Sequence, residues 1–344
     1  MYLALAPEPS AFMPFPDASP ATSDRWTSRC RKVGFVGLGA MGAPMALNLI
    51  AIGHELTVFD LNEAAVKALV AKGATAAASP KEAAEGAAAV FTMVPNDKIL
   101  RDVVTQPSTG LLHSLKGVHI SCSTIHPDTA RELAALHASH GSEYVGAPIF
   151  ARADGVAARL ASFVVGGADA AIDRVMPLLE ANSNGVFRFG PDAGAGNVVK
   201  LCGNYMIASA IESCAEALSL AENSGLDRLA VMSMLNTTIF DCLIYKGYGN
   251  RVAQRSHVPG EALVGPGFQL DLGLKDVTLA LDVAHKVRSP MPFGSVLHDR
   301  FLAASAKGRG SMDWSAIALS VSEDAGIDVS NFIPVGNGKR RKVA

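Results

Sequence analysis

The sequence predicts an α/β chain in which a doubly wound parallel sheet is followed by an all-α domain, the two joined by one long helix. Three observations carry that expectation. From Arg31 to about Gly190, short apolar runs alternate with alanine-rich stretches of helical periodicity, the pattern of parallel strands with crossover helices. A glycine turn, Gly37-Leu-Gly39-Ala40-Met41-Gly42, separates the first apolar run from the first helical one. From Asn197 to Asn223 no strong breaker interrupts a helical pattern, which gives a helix of about 40 Å at 1.5 Å per residue.

The candidate strands, in order, are 33–37, 55–59, 89–94, 118–121, 143–146, 162–166 and 186–188. Helices over 43–52, 62–72, 80–86, 128–140 and 169–180 lie between several of them, and the later strands could be added at one sheet edge. Beyond the long helix, segments 227–236, 270–287, 293–307 and 313–323 read as helical with almost no strand signal. The expected organisation is a disordered leader (1–30), a nucleotide-binding α/β domain (31–192), an all-α domain (193–330) and a basic tail (331–344).

The chain has 344 residues, 49% hydrophobic and 18% charged, enough for two well-buried domains. A net charge of −2 provides no global field for nucleic acid or an anionic membrane. No uninterrupted apolar run reaches the 18 or so residues of a membrane span. The five cysteines (Cys30, Cys122, Cys202, Cys214, Cys242) are scattered and unpaired in spacing, as in a reducing, cytoplasmic compartment. Cys202 and Cys214 fall in an apolar helical pattern and read as core. The nine histidines show no ligand spacing, so no metal site is expected.

Pro7, Pro9, Pro14, Pro16 and Pro20 prevent regular structure in the leader. It lacks the basic and long apolar regions of a secretory signal, and its acidic residues argue against a transit peptide. Lys339-Arg340-Arg341-Lys342 could be an address or a nucleic-acid contact, or a solvated terminus.

The glycine turn has a specific chemistry. A buried strand enters it and a helix leaves it, as in the Rossmann fold. Gly37 permits the tight turn, Gly39 lets the backbone approach a pyrophosphate, and Gly42 lets helix and strand pack closely. The N–H groups of the helix start, Ala40 and Met41 included, then face the phosphate charge. Asp60 ends the second strand, 18 residues beyond Gly42, where a carboxylate accepts hydrogen bonds from ribose hydroxyls. A helix cap or turn residue is the alternative for Asp60. No Arg follows it, only Leu61 and Asn62, so NAD is expected in preference to NADP, which is still possible.

Five motifs in order make the chain resemble the β-hydroxyacid dehydrogenases, the group containing 3-hydroxyisobutyrate dehydrogenase and the glyoxylate/succinic semialdehyde reductases. They are Gly34 through Asn48, Met93-Val94-Pro95-Asn96, Ser121-Cys-Ser123-Thr124-Ile-His-Pro127, Gly194 through Asn204, and Phe268 through Lys275-Asp276. The matches span roughly residues 33–325. The resemblance implies hydride transfer between a nicotinamide and a small β-hydroxyacid or semialdehyde. It places Val94, Pro95, Asn96, Thr124 and Lys275 beside the cofactor, and Ser123 at the substrate's acid group. It makes Lys200 the general acid and base, with Asn204 orienting it and the reacting oxygen. Asp276 reads as a cap or ion-pair partner. Family members are commonly dimers or tetramers, so a homodimer or homotetramer is expected.

The residues support Lys200 independently. Gly196, Lys200 and Asn204 are spaced four apart and share one helix face. Gly196 would leave room for a ligand, Lys200 offers a proton-transfer group, and Asn204 offers both a donor and an acceptor. Val198, Val199 and Leu201 around the lysine favour desolvation, which lowers an amine's pKa. A surface lysine with a snorkelling stem is the alternative.

One departure limits the substrate. Where the family carries Ala-Pro-Val-Ser-Gly-Gly, this chain has Ala147-Pro148-Ile149-Phe150-Ala151-Arg152. The clasping serine has become Phe150, and Arg152 either grips the acid bidentately or faces solvent. A different or larger acid than 3-hydroxyisobutyrate is expected. Tyr245, Lys246 and Tyr248 could complete the pocket or form an interdomain or subunit contact. Rival readings on the same fold are an imine reductase, which usually carries another residue where Lys200 stands, and a non-catalytic binding protein. A 6-phosphogluconate dehydrogenase is a more distant relation.

Overall fold

A computed structural model describes residues 32–257 and 267–332. The leader and the basic cluster lie outside the described residues. Six parallel strands form the first sheet in the order β3-β2-β1-β4-β5-β6. They are β1 (Lys32–Val36), β2 (Glu55–Phe59), β3 (Thr75–Ala76), β4 (Ala89–Thr92), β5 (Val118–Ser121) and β6 (Glu143–Gly146). Every residue of β4 and β5 is buried, as central strands covered by helices on both faces must be. The covering helices are α1 (Gly42–Ala51), α2 (Glu63–Val70), α3 (Pro80–Ala84), α4 (Asp97–Thr105) and α5 (Pro127–Ser139).

β1 pairs with β2 on one side and with β4 on the other. The strand order therefore reverses at β1/β4, and the crevice for a ligand opens at the carboxyl ends of these two strands. The glycine turn follows β1 and Met93–Asn96 follows β4, so topology alone brings the first two motifs together.

The later strands do not extend this sheet. β7 (Ile149–Phe150), β8 (Ala161–Val165) and β9 (Ser183–Arg188) make a separate three-stranded sheet, antiparallel then parallel, accompanied by α6 (Ala153–Ala157) and α7 (Asp169–Glu180). Pro148 lacks the N–H that a continued ladder would need. Among the described residues, reciprocal bonds between Gly146 and Gly166 (3.0 and 2.9 Å) are the backbone bridge between the two sheets. The helix α4 lies where no helix was expected; Asn96 caps it by accepting from Ile99 N at 2.9 Å, and Lys98 and Asp102 pair along it at 2.8 Å.

The long helix exists as α8 (Ala195–Asn223), 29 residues. It leads into α9 (Arg228–Asn236), a π-helical turn at Tyr245–Gly249, α10 (Asn250–Gln254), α11 (Leu270–Lys286), α12 (Pro292–Ala304) and α13 (Ile317–Asp324). These helices close around a second core with Trp314 and Phe301 fully buried. Cys214 is part of that core, as expected, whereas Cys202, also read as core, is exposed on α8. No described helix is long and apolar enough to cross a membrane.

A polar chain crosses the first domain's core. Thr92 Oγ1, His119 Nε2 and Nδ1, His137 Nε2 and Nδ1, and Ser142 Oγ follow one another at 2.9, 2.9 and 2.8 Å. All four residues are buried. Ser142 donates to the His137 carbonyl at 3.3 Å, so its oxygen accepts from His137 Nδ1–H. The remaining hydrogens follow in one direction, with Thr92 donating to His119 and His119 to His137.

Candidate active site

The glycine turn has the geometry of a phosphate cradle. Gly37 adopts φ +95°, and a Cβ there would lie 2.2 Å from the Met93 carbonyl oxygen. A Cβ at Gly42 would lie 1.9 Å from the Gly37 oxygen, so both positions exclude any side chain. Gly39 faces open space instead, and Gly39 and Ala40 are exposed while Met41 packs partly into the core. No side chain caps α1. Ala43 N already donates to the Gly39 carbonyl at 3.1 Å and Pro44 has no N–H, so the donors left for an anion are those of Met41 and Gly42 at the turn itself.

Asp60 stands at the same mouth. Its Oδ2 accepts from Leu38 N at 2.5 Å and its Oδ1 from Asn62 N at 2.7 Å. The carboxylate therefore fixes the turn, the part named as its alternative, and remains half-exposed at the end of β2. A dinucleotide fits this arrangement.

From the cradle a continuous line of contacts runs into the helical domain. Met93 backs Gly37, and the next residue, Val94, donates its N–H to Ser123 Oγ at 2.9 Å. Ser123 is buried, so its oxygen is engaged with the loop and its own hydrogen is what it can offer a ligand. Pro95 is exposed beside it, and the Asn96 side chain serves as the α4 cap. The Thr124 carbonyl accepts from Lys275 Nζ at 2.6 Å. Lys275 lies 3.0 Å from Asp276 Oδ1, and Asp276 Oδ2 accepts from Asn204 Nδ2 at 2.5 Å. Asp276, buried to 2% exposure, thus holds the amide nitrogen of Asn204 and leaves the amide oxygen as a fixed acceptor.

Lys200 stands one helical turn before Asn204. Its pKa is lowered to about 8, chiefly because burial penalises the charged ammonium. Asp276 opposes that shift and Lys275 adds to it. The ammonium sits over the Phe150 ring, 4.1 Å from its centroid. Lys200, Asn204, Phe150, Lys275 and Asp276 are therefore one cluster, linked through Thr124 and Ser123 to the glycine turn.

Gly196 plays another part than expected. A Cβ there would lie 2.3 Å from the Val164 carbonyl oxygen, so this glycine seats α8 on β8 and the space it leaves is filled by backbone. Asn197, buried beside it, was not singled out from the sequence. Its Oδ1 accepts from Ile125 N at 3.1 Å and so fixes the Ser123–Thr124 loop on α8. Its place three residues before Lys200 was the available signal.

Arg152 lies between the two domains. Its stem packs against Gly267 and its Nη2 is 3.2 Å from Asp154 Oδ2. The Tyr248 phenol, pushed up chiefly by burial and then by Asp313, is pulled back first by Trp314 and then by Arg152 and Arg251, so it shares Arg152's field. Tyr245 packs edge-on against Phe240 at 4.8 Å, and Lys246 pairs with Asp241 on the surface. Of these three, Tyr248 is the one whose phenol feels the Arg152 charge; its ring packs against Trp314 at 5.5 Å. Among the described residues no group of three or more His, Cys, Asp or Glu is placed to hold a metal ion.

The fold and the cradle define an NAD(P)-binding oxidoreductase. A family model described as the NAD binding domain of 6-phosphogluconate dehydrogenase matches residues 32–190. A second, described as NAD-binding of NADP-dependent 3-hydroxyisobutyrate dehydrogenase, matches residues 194–321. The chain is 36% identical over 298 residues to 3-sulfolactaldehyde reductase of Escherichia coli, covering 86% of this chain and 97% of that protein. It is 34% identical over 309 residues to 3-hydroxyisobutyrate dehydrogenase of Pseudomonas aeruginosa, covering 89% and 99%. The solved structure of Mycobacterium tuberculosis 3-hydroxyisobutyrate dehydrogenase with L-serine superposes with a TM-score of 0.73 at 30% identity, covering 84% and 98%. The chain belongs to the β-hydroxyacid dehydrogenase family, the 3-hydroxyisobutyrate dehydrogenases and related hydroxyacid dehydrogenases.

Proposed function

We propose that this chain interconverts a small hydroxyacid and its semialdehyde with NAD(P), using Lys200 as the general acid and base. The observation that carries this reading is the placement of the Lys200 amine, against the Phe150 ring and one turn from an Asn204 whose orientation Asp276 fixes. Burial, which lowers the amine's pKa to about 8, supports it. NAD(P), when bound, supplies the hydride acceptor for oxidation and the hydride for reduction. In oxidation neutral Lys200 Nζ takes the substrate hydroxyl proton. In reduction the Lys200 ammonium polarises the carbonyl and then gives that oxygen its proton. Asn204 Oδ1 accepts from the substrate hydroxyl or from Lys200, which sets their mutual geometry. The backbone of Gly39–Met41, with Val94, Pro95, Asn96, Thr124 and Lys275, borders the cofactor. Asp60 favours NAD, because a 2′-phosphate would face its carboxylate with no Arg beside it.

Ser123 keeps a hydroxyl hydrogen for the substrate, and Arg152 supplies the anionic grip that the missing Ser-Gly-Gly would give. Arg152→Ala is expected to raise KM for the best acid by about tenfold to a hundredfold, the loss of one charge-assisted hydrogen-bonded contact, with kcat much less affected. An unchanged KM would remove the anchoring role. Exposed Met206, Leu220, Ile239 and Leu243 are apolar surface that a second copy of the chain would cover, in keeping with a homodimer or homotetramer.

The experiment that tests the reading is a screen of C3–C5 hydroxyacids and semialdehydes with NAD(H) and NADP(H) in parallel. Turnover of an acid or semialdehyde with NAD(H) ahead of NADP(H) is the expected result. Reduction of a cyclic imine with no activity on any acid or semialdehyde would overturn it in favour of an imine reductase.

A further inference from the structure

Phe150 and Gly203 are complementary in shape. Phe150 is fixed on its backbone side by β7, where it pairs with Ser162 of β8. On its other side the ring lies on the bare backbone of α8: a Cβ at Gly203 would stand 2.4 Å from two ring carbons. Gly203 is three residues after Lys200 and immediately before Asn204, so the ring is seated within the catalytic turn. Among the described residues no hydrogen bond reaches Lys200 Nζ, and the ring face 4.1 Å away is its close partner. Arg152, two residues further along the chain, reaches Gly267 and Asp154 instead. The two side chains that replace the family's clasp therefore act at different points, one on the amine and the other farther along the cleft.

We propose that Phe150 is a positioning residue for Lys200, holding the amine by its ring face in the notch that Gly203 leaves open. The inference rests on Lys200 being the acid–base group. The ring does two opposing things to that group. It excludes water, which favours the neutral amine, and it presents the negative face of its quadrupole, which favours the ammonium.

Two substitutions separate these effects. Phe150→Leu keeps the exclusion of water and loses the aromatic face, so the pKa read from the pH profile of kcat/KM is expected to fall by about half a unit to one unit. Phe150→Ser admits water, and since burial is the larger influence on this amine, the same pKa is expected to rise towards the ordinary lysine range. Gly203→Ala, which displaces the ring, is expected to shift it in the same direction as Phe150→Ser. The dissociation constant for NAD(H), read by nicotinamide fluorescence, verifies that each variant is folded. The same shifts are read without substrate by titrating the 13C-labelled Lys200 Cε resonance, assigned by its loss in Lys200→Ala. Shifts of one sign in Phe150→Leu and Phe150→Ser, or no shift in either, would overturn the proposal. Undiminished turnover in Lys200→Ala would instead overturn the reading beneath it, so the two failures are distinct.

Discussion

Lys200→Ala is expected to lower kcat/KM for every acid or semialdehyde turned over by about 10²–10⁴-fold, the range for losing a positioned general acid–base group. At about 1.36 kcal/mol per factor of ten, that is about 3–5 kcal/mol of transition-state stabilisation. Affinity for NAD(H) should stay as in the wild type, because the cradle at Gly37–Gly42 and Asp60 lies at the other end of the contact line. The wild-type pH profile has a definite sign. Oxidation needs neutral amine and should rise with pH to a plateau above about 8, while reduction needs the ammonium and should fall through the same pH. Lys200→Ala should flatten both limbs. A variant that kept the wild-type rate and pH dependence would remove Lys200 from the chemistry. A wild type that turns over nothing, with Lys200→Ala indistinguishable from it, would favour the non-catalytic reading.

Folding stability is expected to drop steeply as pH falls below about 6.5, before carboxylates begin to protonate. Burial holds His137 neutral down to about 4 and His257 down to about 3, and lowers His119 well below the ordinary histidine range. Neighbouring charge adds to the shift for each, from His140 on His137, His137 on His119, and four arginines led by Arg251 on His257. In the unfolded chain all three protonate near 6.5. Between 6.5 and the folded values the unfolded state binds more protons, so stability rises with pH there and is lost as pH falls. Each histidine held neutral in the fold adds to the loss of stability as pH falls through that window. Below its folded value each contribution levels off. The hydrogen-bond chain gives the penalty a structural cause: His119 Nδ1–H already points at His137 Nε2, and a second hydrogen there has no acceptor. Urea midpoints at pH 7.0, 6.0 and 5.5 measure the slope, which His137→Leu should reduce. A midpoint constant over that range would show that these imidazoles are not held neutral.

Much of this protein was legible in its sequence because the informative positions are set locally. The glycine spacing reports backbone geometry at Gly37 and Gly42, and the unbroken run from Asn197 reports α8. Lys200 and Asn204 are four residues apart on one helix, so their proximity needs no knowledge of tertiary structure. What escaped depends on contacts between distant segments. Strands 161–165 and 183–188 look like any other apolar runs, and their departure from the main sheet is decided by Pro148 and the Gly146–Gly166 contact. Gly196 was read as ligand space because its neighbour, the Val164 carbonyl, is invisible in one dimension. Asp276 was recognisable as an ion-pair partner, but its hold on Asn204 joins residues 72 apart. The stacking of Phe150 on Lys200 likewise joins a strand to a helix, and a substitution that read as lost hydrogen bonding turns out to include a gained aromatic face.

Lys275 and Lys286 both reach from α11 across to the first domain. Lys275 bonds the Thr124 carbonyl and Lys286 pairs with Asp128. Eleven residues is three helical turns, so both lysines lie on one side of α11, about 16 Å apart along it. Two anchored points define a line. Any relative movement of the domains that keeps both contacts is a rotation about that line, with translation and the other two rotations suppressed. Rotation about that line, which runs beside the substrate loop, is the movement these two contacts resist least, whereas movement across it stretches Lys275–Thr124 or Lys286–Asp128.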